Sequence, residues 1–61
     1  MSNQQNLQAQ IQSQAIINNE LKKLHNLGTE TNNVELIKDI QSISNITDRM
    51  LERLNLEIDK L

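Results

Sequence analysis

Apolar side chains recur every three or four residues along most of this chain, in two stretches that are out of phase with each other. That spacing is the signature of an amphipathic helix, in which positions three and four apart share a face. The first stretch runs Leu7, Ile11, Ile17, Leu21 and Leu24, with Gln14 filling the gap and Leu27 closing the end. It predicts a helix over about 6–27. Gln10 and Gln14 weaken its apolar stripe, and residues 1–5 read as a flexible polar N-terminus rich in amide side chains.

The second stretch is stronger and predicts a helix over about 33–61. On a wheel of about 100° per residue with Leu36 at zero, Leu54 falls at about 0° and Ile40 and Ile58 at about 40°. Ile43 and Leu61 fall at about 340°, Met50 at about 320° and Leu51 at about 60°. Ile37 and Ile46 stand at the margins, and Val34 and Leu56 stray. The stripe is broader than a two-stranded seam needs, which suits a three- or four-helix arrangement covering it from two sides.

The two stretches meet at Asn26-Leu27-Gly28, which reads as a helix stop because glycine adopts the left-handed conformation that closes a last turn. Lys22, Lys23 and His25 would then lie in the last turns, where cations complement the helix dipole. Asn32 followed by Glu35 fits a capping box for the next helix, with Thr29 or Thr31 as alternative caps. Continuing the first stripe's phase across this junction does not lead into the second. A helical hairpin is therefore expected, not one continuous rod.

Composition sharpens this picture. Phe, Tyr, Trp, Cys and Pro are absent and Gly occurs once among 61 residues. A chain this short buries only about 60% of the surface its unfolded form exposes. Without disulfides or thiolate metal sites, oligomerisation is the remaining way to complete a core. The expected architecture is all-α: one hairpin module over residues 6–61 that completes a three- or four-helix bundle or coiled coil with partner helices.

Charge changes the picture mainly by exclusion. Six basic and eight acidic residues are intermixed, for a net charge of −2. That balance argues against nucleic acid, which calls for a basic footprint. The longest wholly apolar run, Ala15-Ile16-Ile17, is too short to span a bilayer, and direct membrane insertion is not expected. The start Met1-Ser2-Asn3-Gln4-Gln5 does not resemble a secretion signal. The cytoplasm, or a membrane's cytosolic face reached through a partner, is the expected setting.

Candidate chemistry is sparse. His25 has no nucleophile or acid at a spacing that would make a triad, and it reads as a solvated cation near a helix end. Asp48, Glu52, Glu57 and Asp59 lie beside Arg49, Arg53 and Lys60, so they read as a solvated charged face with Arg53–Glu57 and Arg49–Glu52 pairs. Asn45-Ile46-Thr47 matches a glycosylation acceptor pattern by chance. Thr47 lies near the apolar stripe, either as a polar register-setter or bonded to the preceding turn's carbonyl. No catalytic residue, metal ligand or cofactor site is expected.

The Leu27-Gly28-Thr29 junction followed by Val34-Glu35-Leu36 resembles the N-terminal Habc regulatory bundle of syntaxins, where a Leu-Gly-Thr turn precedes a Glu-Leu that opens the second helix. The spacings of Ile17, Leu21 and Leu24 and of Ile40, Thr47 and Leu51 are similar too. The resemblance covers the first two helices, over roughly residues 11–58. Asn32-Asn33 and Ile37 depart from the family, which often has an acidic residue before the second helix and a basic one after the leucine. The resemblance implies helix docking in the regulation of membrane fusion and transfers no binding residue.

The expected function is thus a non-enzymatic interaction and oligomerisation module. Its packing surface would be Leu7, Ile11, Ile17, Leu21, Leu24, Leu36, Ile40, Ile43, Met50, Leu51, Leu54, Ile58 and Leu61. Its partners would be protein helices, in a self or hetero-oligomer of two to four. The alternatives are an obligate small subunit of a larger coiled-coil assembly, or a helical regulator that masks a partner protein.

Overall fold

The computed structural model describes residues 2–61. Two helices, α1 (Asn3–Glu30) and α2 (Val34–Asp59), fold back on each other as the expected all-α hairpin. It is an elongated body of 44 × 16 × 12 Å.

α1 begins three residues before the position read from the apolar pattern, because its start is fixed by a polar cap. The Ser2 hydroxyl accepts from the Gln5 amide at 3.1 Å, and the Gln5 side-chain oxygen accepts from the Ser2 amide at 3.4 Å. This reciprocal box satisfies donors that the first turn leaves open, so residues 3–5 are helical.

The end of α1 corrects the sequence reading. Gly28 does not take the left-handed conformation; the helix runs through it to Glu30, and Asn32 is the residue with positive φ, at 53°. The Asn33 amide donates to the Gly28 carbonyl at 2.9 Å and the Asn32 amide to the Thr29 carbonyl at 3.2 Å. These are the two bonds of a Schellman closure with asparagine, the residue that best tolerates this region after glycine, in the left-handed position. Lys22, Lys23 and His25 consequently lie short of the last turn, which has no basic residue.

Gly28 serves packing instead. It is buried, and a β-carbon there would lie 3.3 Å from Leu36 Cδ2 and 3.6 Å from Ile37 Cγ1. Its missing side chain lets the helices approach closely beside the turn.

The start of α2 also shifts by one residue. Asn33, not Asn32, is the cap: its side-chain oxygen accepts from the Leu36 amide at 3.2 Å. Leu36 has no polar group to return the bond, so the expected box with Glu35 does not form. Glu35 contributes its charge in the first turn, at the favourable end of the helix dipole.

Candidate interaction surface

The contact between the helices follows a regular alternation of four- and three-residue steps. On α1, Leu7, Ile11, Gln14, Asn18, Leu21, His25 and Gly28 are half-buried or buried. On α2, Ile37, Ile40, Ser44, Thr47, Leu51, Leu54 and Ile58 follow the same alternation. This is the heptad spacing of a two-helix seam. Gly28 lies against Leu36 and Ile37. Propagating that antiparallel pairing brings Leu21 level with Ser44, Asn18 with Thr47, and Gln14 with Leu51.

The seam is polar in the middle. Gln14 and Thr47 are buried, while Ile40 is the one large apolar side chain that is buried among the described residues, at 3% exposure. The Gln14 amide donates to Asn18 Oδ1 at 3.0 Å, one turn along the same helix. The Thr47 hydroxyl donates to the Ser44 carbonyl at 3.2 Å, so this threonine bonds the turn before it and does not set the register across the seam. Among the described residues, no side-chain hydrogen bond joins α1 to α2. The two helices are held by apolar contact alone, and that contact is interrupted by amides and hydroxyls.

The residues expected to form the packing surface divide into two groups. Leu7, Ile11, Leu21, Leu36, Leu51, Leu54 and Ile58 are half-buried and Ile40 is buried, so they line or border the seam. Ile17, Leu24, Ile43 and Met50 remain between 41% and 48% exposed. Leu61 lies past the end of α2 and is exposed.

The exposed group is not scattered. Ile17 and Leu24 are one heptad apart on α1, and Leu36, Ile43 and Met50 are one heptad apart on α2. In an antiparallel pair, these two rows flank the seam on the same side. A groove that holds Ile17, Met50 and Leu54 together with Gln10, Gln14, Arg53 and Glu57 places Ile17 and Met50 on that side. A second depression on α1, lined by Ile16, Ile17, Leu21, Leu24 and Leu27 with Glu20 among them, extends the apolar surface toward the turn. Ile46 adds a further exposed side chain to the same flank of α2.

The opposite flank has another character. Its groove is lined by Lys22, His25, Asn26, Gln41 and Ser44 beside Leu21 and Ile40. His25 is a half-buried seam residue, which corrects its reading as a solvated cation at a helix end. The hairpin therefore has one flank that is apolar in the half nearest the turn and one flank that is polar.

Charged groups pair locally. Glu20 binds Lys23 at 3.1 Å within α1 and Glu57 binds Lys60 at 3.7 Å at the end of α2, both well exposed. The expected Arg53–Glu57 and Arg49–Glu52 pairs do not form, and Glu57 turns to Lys60 instead. Such pairs contribute little to stability. Among the described residues, no helix is long and apolar enough to cross a membrane, and no group of acidic or imidazole side chains has the arrangement of a metal site.

Comparison with known proteins adds no relative: no family model, no curated protein and no solved structure matches the chain.

Proposed function

We propose that this chain is a non-enzymatic protein–protein interaction module, which docks the apolar flank of its hairpin onto partner helices to complete a helical bundle. One observation carries the reading. Ile17, Leu24, Ile43 and Met50 stay exposed in two rows beside a seam in which Gln14, Asn18, His25, Ser44 and Thr47 are polar. Small proteins rarely leave a contiguous apolar surface of this extent uncovered, and where they do it commonly marks an interface.

A hairpin without cross-seam hydrogen bonds also needs the additional burial that a third and fourth helix supply. The docking role in membrane trafficking implied by the syntaxin resemblance, in a cytoplasmic setting, is part of the proposal. The Leu27-Gly28-Thr29 stretch behind that resemblance lies within α1, with Gly28 against α2.

The test compares Leu24→Lys on the apolar flank with Gln41→Lys on the polar flank, read by circular dichroism melting of the purified chain. If the apolar flank is covered in the assembled state, Leu24→Lys lowers the melting temperature by many degrees and Gln41→Lys leaves it unchanged. A wild-type chain that is poorly helical by itself supports the reading too, because the missing helices then belong to another protein. A fully helical, single-chain wild type insensitive to both substitutions refutes it.

A further inference from the structure

We draw no further inference here: the strongest candidate, the apolar flank beside the hairpin seam in the half nearest the turn, where Ile17, Leu24, Ile43 and Met50 stay exposed, is a face for which nothing in the structure shows what covers it.

Discussion

Gln14→Leu isolates the cost of the polar seam. Gln14 is 4% exposed, and its amide bonds Asn18 Oδ1 on its own helix, not any group on α2. Burying a leucine side chain in its place contributes about 1.5–3 kcal/mol. The lost bond is worth about 0.5–1.5 kcal/mol net. Asn18 is half-buried, so water can replace the donor that its oxygen loses. The substitution should therefore stabilise the folded assembly by about 1–2 kcal/mol, since the apolar gain exceeds the hydrogen-bond loss.

The assay is urea unfolding followed by circular dichroism, at matched chain concentration because assembly couples to stability. The expected result is a higher midpoint with an unchanged slope. A loss of stability of about 1 kcal/mol or more would refute the reasoning, because a bond of that net value would have to cross the seam or reach a partner.

The turn and the stripe give two further tests. Gly28→Ala should be near neutral, since a gain of about 1 kcal/mol in helix propensity is offset by the shift that Leu36 must make to admit a β-carbon 3.3 Å away. Asn32→Ala should cost about 1 kcal/mol, because it forces a β-carbon without a polar side chain into the left-handed region; paired melting curves check both, and the reverse ordering would place the helix stop at Gly28. Leu54→Asp should abolish helicity or assembly by placing an unpaired charge in the seam. Leu56→Asp, on a side chain 55% exposed, should be nearly silent in the same sedimentation and dichroism measurements.

The hairpin, the approximate place of its turn and the apolar stripe of α2 were legible in the sequence because each rests on local pattern, whereas the exact caps were not. Nor was the role of Gly28. A glycine that ends a helix and a glycine that lets two helices touch look the same in a sequence, and only the approach of Leu36 and Ile37 separates them. The division of labour among the apolar residues was hidden for a related reason. Hydrophobic spacing marks what is suited to burial without saying against what. Ile17 and Leu24 therefore read as seam, whereas the seam passes through Asn18 and His25, whose polar character conceals them. On α2, the breadth of the stripe did carry the information. Its inner part, Ile40, Leu51, Leu54 and Ile58, faces α1, and its outer part, Ile43 and Met50, stays exposed on the flank.

That exposed flank is the centre of the account, and the most direct test is the helicity of the wild-type chain across a dilution series, with sedimentation mass measured on the same samples. The account predicts high helicity only at an assembled mass and a poorly helical single chain, because the hairpin's partly polar seam does not hold the helices once the flank is uncovered. A chain that keeps full helicity as a single species at every concentration would contradict it.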